Sequence, residues 1–179
     1  MVSKQLNVLL LEDLTTDAEL IKRQVLKAAP QSVFTIARNR AEFFTKIEWS
    51  VPDIILADYN LPDINGLEAL LHVRGKKLHT PFIFVTGTLN DEEKVADAVL
   101  KGASGYVLKE NLKQLPTKLL DVLENSESQQ IALQEEDRIQ REAELSLQKA
   151  LAKLSNSGDF KEKAELTALL QNVLSAFQH

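Results

Sequence analysis

The chain contains no cysteine, which excludes disulfides, thiol nucleophiles and cysteine-based zinc sites. Its histidines show no metal-ligand spacing, so we interpret His72, His79 and His179 as surface or packing residues. No Gly-x-x-x-x-Gly-Lys-Ser/Thr motif is present, which excludes the phosphate-binding loop of NTPases. The turn after the first apolar run is acidic and has no glycine, and this argues against a dinucleotide site.

Long apolar runs and an excess of basic charge are also missing. No stretch approaches the roughly 20 apolar residues that cross a bilayer, and the first apolar run is too short for a signal sequence. The formal net charge of -5 argues against binding nucleic acid through a general basic surface. We therefore expect a cytoplasmic protein without a membrane or nucleic-acid partner. With 179 residues, it has room for one domain and an appendage.

Five short apolar runs alternate with segments of helical periodicity over about the first 120 residues. The runs are predicted strands at Val8–Leu11, Val33–Ala37, Ile54–Ala57, Phe82–Val85 and Tyr106–Leu108. Parallel neighbours in a sheet need crossover helices, and those crossovers are right-handed. The alternation therefore predicts the α/β class, with a doubly wound five-stranded parallel sheet.

The helices between these strands have recognisable ends. They are predicted after Thr16, at Arg40–Trp49, at Gly66–Val73, at Asp91–Leu100 and from near Leu112. Thr16-Asp-Ala-Glu19 has the spacing of a capping box, and Gly102 is expected to end the fourth helix.

Polar residues follow four of the predicted strands. These are Glu12-Asp13, Asp58, Thr86 and Lys109, and the carboxyl ends of parallel strands lie along one edge, where α/β proteins bind ligands. Three carboxylates that converge need a compensating cation, and an all-oxygen site suits Mg²⁺. Acids, a lysine and a hydroxyl around Mg²⁺ indicate phosphoryl transfer, in which an Asp carboxylate can itself be the nucleophile.

These residues resemble the receiver domain of bacterial two-component response regulators over about Leu6 to Leu123. The resemblance is carried by Glu12-Asp13, by Asp58-x-x-Leu-Pro-Asp-x-Asn-Gly66, by Thr86-Gly87 and by Gly102-Ala-Ser-Gly-Tyr106-Val-Leu-Lys109. It implies a flavodoxin-like sheet of order 2-1-3-4-5. It also implies a response regulator that is not an enzyme in the turnover sense.

The resemblance assigns a role to each acid of the site. Asp58 would accept a phosphoryl group from a histidine kinase or a histidine phosphotransfer protein. Mg²⁺ would be held by Asp13, by Asp58 and by the backbone carbonyl of Asn60. Glu12 would act mainly through metal-bound water, and the side chain of Asn60 would lie near the path of attack on the acyl phosphate.

The remaining residues of the motif would contact or report the phosphoryl group. Thr86 and Lys109 would hold phosphoryl oxygens, and Tyr106 would turn inward when Thr86 moves. One position departs from the family, because Glu110 stands where many receivers have proline. A cis peptide is costly without proline, so the segment after Lys109 is expected to differ from that pattern.

The C-terminal third is predicted to be a helical extension, residues 125–179, joined to a receiver at residues 1–124. The segment Thr117 to Ser157 contains neither Pro nor Gly, and it is long enough to form a helix of about 60 Å. A break is expected at residues 155–159, followed by a final helix with an apolar face. Such a hairpin or coiled coil by itself leaves its apolar stripe exposed to water. Because pairing with a second copy would bury that stripe, we expect a homodimer through a four-helix bundle.

Other interpretations remain open. The hairpin could fold back on the receiver, or the chain could be the N-terminal part of a larger signalling protein such as a hybrid kinase. It could also be a phosphorelay carrier without its own output. A magnesium-dependent phosphatase working through Asp58 lacks the usual Asp-x-Asp, because Asn60 stands at the second position. A phosphate-independent scaffold has no physical need for the acids.

Overall fold

The computed structural model describes residues 5–76, 78–87, 97–158 and 163–176. It divides into two compact units, Met1–Glu127 and Ser128–His179. The division falls within one continuous helix, Leu115–Ser155. The sequence-based assignment of residues 1–124 and 125–179 as separate domains stays a prediction.

The first unit is built on a parallel sheet of five strands in the order β2-β1-β3-β4-β5, which confirms the predicted fold class. The strands are β1 Asn7–Leu11, β2 Val33–Ala37, β3 Ile54–Ala57, β4 Phe82–Thr86 and β5 Gly105–Leu108. Every residue of β3 and β4 is buried. Their continuous apolar runs follow from this position, since a central parallel strand is covered on both faces.

Helices cover both faces of the sheet. They are α1 Thr15–Ala28, α2 Arg40–Trp49, α3 Gly66–Gly75, a helical stretch at residues 97–100, and α4 Leu115–Ser155. One core layer packs α1 and the start of α4 on the sheet, and the other packs α2, α3 and Ala98. Most of the predicted fourth helix, Asp91–Leu100, lies outside the described residues.

The helix ends test two local predictions. The capping box at Thr16 is wrong, because α1 begins at Thr15 after Leu14 and has no side-chain cap. Glu19 instead accepts a hydrogen bond from Lys22 at 2.7 Å. Gly102 does end a helix, with φ of 98° and with Ala103 donating its amide to the carbonyl of Ala98 at 2.9 Å. This pattern is a Schellman cap.

The segment after β5 differs from the expected direct start of a helix near Leu112. Lys109–Gln114 is a 3₁₀ helix with a kink at Asn111, and α4 follows from Leu115. The described residues contain no cis peptide bond, so Lys109–Glu110 is trans. Leu115, Leu119 and Val122 are buried, so the first turns of α4 complete the core of the first unit.

The second unit consists of the rest of α4 and a final helix, α5, Lys163–Ala176. The predicted break is present where α4 ends at Ser155, and residues 159–162 lie outside the described residues. Lys163 Nζ donates to the carbonyl of Ser157 at 2.7 Å, next to the end of α4. Across the described ranges, no helix combines the length and the apolarity that a bilayer crossing requires.

Apolar side chains of this unit fall into two groups by exposure. Half-buried positions recur at helical spacing, at Leu147, Leu151 and Leu154 of α4 and at Leu170 and Leu174 of α5. A second stripe on α5 is exposed, with 43% of Leu166, 55% of Leu169 and 47% of Val173 accessible to solvent. We call these three residues the α5 stripe. The spacing of the half-buried set is that of two helices packed as a hairpin.

Candidate functional site

The predicted acids stand side by side because of the register between β1 and β3. Leu11 is paired with Ala57 at the ends of these strands, so the next residues, Glu12 and Asp58, are neighbours. The amide of Asp58 donates to the carbonyl of Leu11 at 2.9 Å, and the amide of Glu12 donates to Ala37 at 2.9 Å. The backbone hydrogen bonds therefore set the positions of both acidic residues independently of their side-chain contacts.

The other half of the edge is set by β4 and β5. Thr86 is the last residue of β4 and is paired with Leu108, so Lys109 follows one residue beyond the edge. The structure thus brings Glu12, Asp58, Thr86 and Lys109 to the carboxyl ends of four neighbouring strands. Open parallel sheets bind ligands at this edge.

The ammonium of Lys109 lies among three carboxylates. Its Nζ is 2.7 Å from Asp58 Oδ2, 2.7 Å from Asp17 Oδ2 and 2.8 Å from Glu12 Oε2. The first two contacts are hydrogen bonds. Glu12 Oε2 is buried without a hydrogen-bond partner, so its short contact with the ammonium is an ion pair whose angles do not suit a hydrogen bond.

Burial and charge act against each other in this cluster. Burial raises the pKa of Glu12 above its ordinary value, and the neighbouring Asp58 adds to the rise, while Lys109 partly offsets it. Burial also acts to lower the pKa of Lys109, but its contacts with Asp17, Asp58 and Glu12 outweigh that effect and raise it. Lys109 is therefore fully protonated near neutral pH and compensates the acids beside it.

A tight loop carries the chain from Asp58 into α3. Asp58 Oδ1 accepts a hydrogen bond from the amide of Asn60 at 3.2 Å, and Asn60 forms an isolated bridge with Asn65. A Cβ on Gly66 would lie 2.5 Å from the carbonyl oxygen of Asp58 and 2.8 Å from Phe84 Cε1. Only glycine fits there, so α3 starts directly against the backbone of the predicted phosphoacceptor.

The two predicted switch residues differ in exposure. Thr86 is fully buried, and its Oγ1 has no hydrogen-bond partner. Tyr106 is 44% exposed and borders an apolar crevice that it shares with Tyr59, Phe84 and Val99. The walls of that crevice include apolar side chains of β4 and β5 and of the helical stretch at residues 97–100.

The donor set is compatible with Mg²⁺, which is held by one or two carboxylates and keeps several waters. The carboxylates of Glu12 and Asp58 stand at one edge, and Glu12 Oε2 is a buried oxygen with no hydrogen bond. Asp13, half-buried, follows Glu12 directly. Within the described ranges, no group of three acid, histidine or cysteine side chains is arranged to hold a metal by itself. Waters or a phosphoryl group would have to complete such a site.

One residue of the cluster was missed by sequence reasoning. Asp17 lies in the first turn of α1, and its distance of 92 residues from Lys109 in the chain hides their contact. The available signal was its place in the acidic turn after β1, because that turn lies at the same edge of the sheet. The direct contact of the Lys109 ammonium with Glu12 and Asp58 also goes beyond the sequence-based expectation, which placed these groups only at the same edge.

The comparison with known families addresses the same part of the chain. Residues 8–120 match the model of the response regulator receiver domain. The chain belongs to this family. Receiver domains are modules of two-component signalling that work with histidine kinases, typically bind Mg²⁺ and are generally signalling modules rather than enzymes.

Individual relatives agree with the family assignment. The nitrate/nitrite response regulator protein NarL of Escherichia coli K12 is 36% identical over 114 residues, which are 63% of this chain and 51% of the relative. The chemotaxis protein CheY of Listeria monocytogenes is 29% identical over 104 residues, 58% of this chain and 86% of that protein. The chain spans about half the length of the NarL relative, so the activity of that whole protein is not carried over.

The architecture is shared with solved receivers. A CheY-like receiver domain protein from Methanospirillum hungatei has a TM-score of 0.63 and 25% identity, with 70% of this chain and 99% of that chain covered. The receiver domain of a Luxo repressor protein from Vibrio parahaemolyticus has the same TM-score and identity, with 72% and 98% covered.

Proposed function

We propose that this receiver accepts a phosphoryl group on Asp58 from a phosphohistidine of a histidine kinase or histidine phosphotransfer protein. The observation that carries the proposal is the pairing of Asp58 with Lys109, 2.7 Å apart, next to a buried Thr86 hydroxyl without a partner. A carboxylate, a fixed cation and a free donor at one strand edge are the groups that phosphoryl transfer requires. The proposal includes a cytoplasmic location and no catalytic turnover.

The reaction follows from the side chains present. A carboxylate oxygen of Asp58 attacks phosphorus, the bond from phosphorus to the histidine nitrogen breaks, and the imidazole leaves with the electron pair of that bond and takes up a proton. Lys109 neutralises charge on the phosphoryl oxygens, and the Thr86 hydroxyl donates to one of them. Bound Mg²⁺ supplies further charge neutralisation; we assign it to Asp13, Asp58 and the Asn60 carbonyl, with Glu12 acting through water.

The decisive variant is Asp58→Asn, which keeps the shape of the side chain and removes the nucleophile. We expect loss of labelling from a phosphorylated kinase or from acetyl phosphate, measured by intact mass, while the circular dichroism spectrum stays unchanged. Asp63→Asn is the matched control, because Asp63 is an exposed acid of the same loop whose Oδ2 only accepts from the amide of Arg40. Labelling that persists in Asp58→Asn would overturn the assignment.

We propose further that the output is protein–protein interaction, with a homodimer formed through the C-terminal helices. The α5 stripe supports this proposal, since an apolar row at i, i+3 and i+7 left in water favours pairing with a second copy. Light scattering with and without Mg²⁺ and beryllofluoride would measure the assembly. A dimer in both states indicates a permanent joint, and a shift between states indicates control by phosphorylation.

Two variants test where the dimer forms. Leu169→Glu should dissociate it, whereas Glu165→Gln, a change at a polar exposed position of the same helix, should not. Ending the chain at Glu127 should give a monomeric folded receiver. A dimer of unchanged size in the truncated chain would place the interface on the receiver, and a monomer throughout would leave the helices as a docking element for another protein.

A further inference from the structure

Asp17 contributes a third carboxylate to Lys109 that the proposed chemistry does not use. It lies in the first turn of α1, where an acid is favoured by the helix dipole, and this would explain its presence without any functional role. Its side chain, however, accepts a hydrogen bond at 2.7 Å from the lysine that would serve the phosphoryl group. This contact is what requires an explanation.

Three carboxylates surround the ammonium of Lys109. Its Nζ donates hydrogen bonds to Asp17 and Asp58, both at 2.7 Å, and Glu12 Oε2 stands 2.8 Å away as an ion pair. The side chain of Lys109 is 17% exposed, which leaves little room for a fourth partner. A phosphoryl oxygen can therefore gain this lysine only if one of the three carboxylates gives way.

The three carboxylates differ in the free energy that the loss of the Lys109 contact would cost. The side chain of Glu12 is 0% exposed and that of Asp58 is 10% exposed, whereas that of Asp17 is 27% exposed. A carboxylate that loses its cation inside the protein stays poorly solvated, and this is expensive. Asp17 can exchange its lysine contact for water, so it is the partner that yields most readily.

We propose that Asp17 competes with the phosphoryl group for Lys109, and so holds the lysine in the unphosphorylated state and raises the threshold for activation. The inference rests on the proposed function of Asp58. Asp17 is a positioning residue in this scheme, because it acts on the phosphoryl group only through Lys109. Its carboxylate also repels the incoming anion, so both effects of removing its charge have the same sign.

The test is Asp17→Asn, with beryllofluoride in the presence of Mg²⁺ as the probe and amide chemical shifts as the readout. We expect the affinity for beryllofluoride to rise by about three- to fivefold, the scale of a partly exposed ion pair. Asp17→Glu restores the charge and should return the affinity toward that of the wild type. An unchanged or weaker affinity in Asp17→Asn would overturn the proposal.

A matched control separates competition from simple loss of negative charge. Glu19→Gln removes an acid two residues further along α1 that is paired with Lys22 and not with Lys109. It should leave the affinity unchanged, and a gain equal to that of Asp17→Asn would contradict the proposal.

A second readout examines the lysine without any ligand. Exchange of the Lys109 ammonium protons with water, followed by ¹⁵N-lysine NMR, should become faster in Asp17→Asn and stay unchanged in Glu19→Gln. Equal exchange in the wild type and Asp17→Asn would count against the proposal. If the wild type bound no beryllofluoride, the proposed function of Asp58 would fail as well, which distinguishes that failure from failure of the Asp17 inference alone.

Discussion

The two units of this chain bury their apolar residues to very different extents. In the first unit, β3 and β4 are buried over their whole length, and the core continues into the first turns of α4 as far as Val122. Among the described residues after Val122, none is buried, and 55% of Leu169 is exposed. Burial of apolar surface is the main source of folding free energy. The receiver therefore gains most of the folding free energy that apolar burial supplies, and the helical extension gains little of it.

The comparison also concerns charge. The charged cluster around Lys109 in the receiver is largely withdrawn from water, with 17% of the lysine side chain exposed. The ion pairs of Arg138 with Glu135 and Glu142 in α4 are about half exposed on each side. Charges in the first setting are costly to leave unpaired, while those in the second are screened by solvent. The same residue types thus form a largely buried cluster in one unit and exposed surface pairs in the other.

The largest difference between the units should appear on deletion of an apolar side chain. Leu56→Ala, at a fully buried position of β3, is expected to lower the free energy of unfolding by about 2–5 kcal/mol. Leu169→Ala on the α5 stripe should change receiver unfolding by less than about 0.5 kcal/mol. Urea denaturation of both variants measures the contrast, which would disappear if the extension contributed to the receiver core.

The next effect concerns the buried charges. Lys109→Met leaves Glu12 and Asp58 without their cation, and we expect a loss of about 1–3 kcal/mol at pH 7. The folded-state pKa of Glu12 is already raised above its ordinary value of 4.5, so ionised Glu12 costs stability as the pH rises above that value. The deficit of Lys109→Met relative to the wild type should therefore shrink at pH 5. An equal deficit at both pH values would show that lost packing, not charge, causes it.

The raised pKa of Lys109 predicts a loss of stability at high pH. Its pKa is raised above the ordinary value of 10.5, so its contribution to stability is fully present below that pH and is lost as the pH rises through the folded-state pKa. Wild-type stability should fall above about pH 10.5 more steeply than that of Lys109→Met. Thermal unfolding over this range would measure the difference, and parallel profiles would contradict the ion-pair assignment.

Substitution of one glycine in each unit should produce a smaller difference in stability. Gly66→Ala places a Cβ within 3 Å of both Asp58 and Phe84, and a cost of about 1–3 kcal/mol is expected from this overpacking. Gly158 in the extension has nothing within 4 Å of its Cβ position and no left-handed φ. Gly158→Ala should be neutral or stabilise the fold slightly, because alanine restricts the unfolded chain. Similar melting temperatures for the two variants would contradict the tight approach at Gly66.

The smallest effect is expected at the exposed ion pairs of α4. Arg138→Ala removes the contacts with Glu135 at 2.6 Å and with Glu142 at 2.7 Å. The helical circular dichroism signal should decrease slightly at low salt, and the difference from the wild type should vanish at high salt because exposed charges are screened. A salt-independent difference would show that the lost packing of the arginine stem matters more than its charge.

Most of the receiver fold was predictable from local patterns. The continuous apolar run at Ile54–Ala57 predicts a central strand, and the polar residues after four of the runs predict the groups that meet at the carboxyl edge of the sheet. Gly102 correctly predicted the cap of the helical stretch that ends near Leu100. The capping box at Thr16 was the local failure, because Leu14, not Thr16, precedes the first turn and the cap side chain is absent. Local spacing permits a cap but does not enforce one when tertiary packing fixes where the helix enters.

The sequence by itself determined the order of strands and helices and which residue types stand at the strand ends, because apolar periodicity is a local property. Tertiary structure alone decided that the Lys109 ammonium contacts the carboxylates of Glu12 and Asp58 directly, and that Asp17 joins them. It also decided that Arg74 donates to the carbonyl of Gly102, 28 residues away, at 2.8 Å. Such contacts depend on the position of side chains after the sheet has closed, and spacing along the chain carries no information about that position.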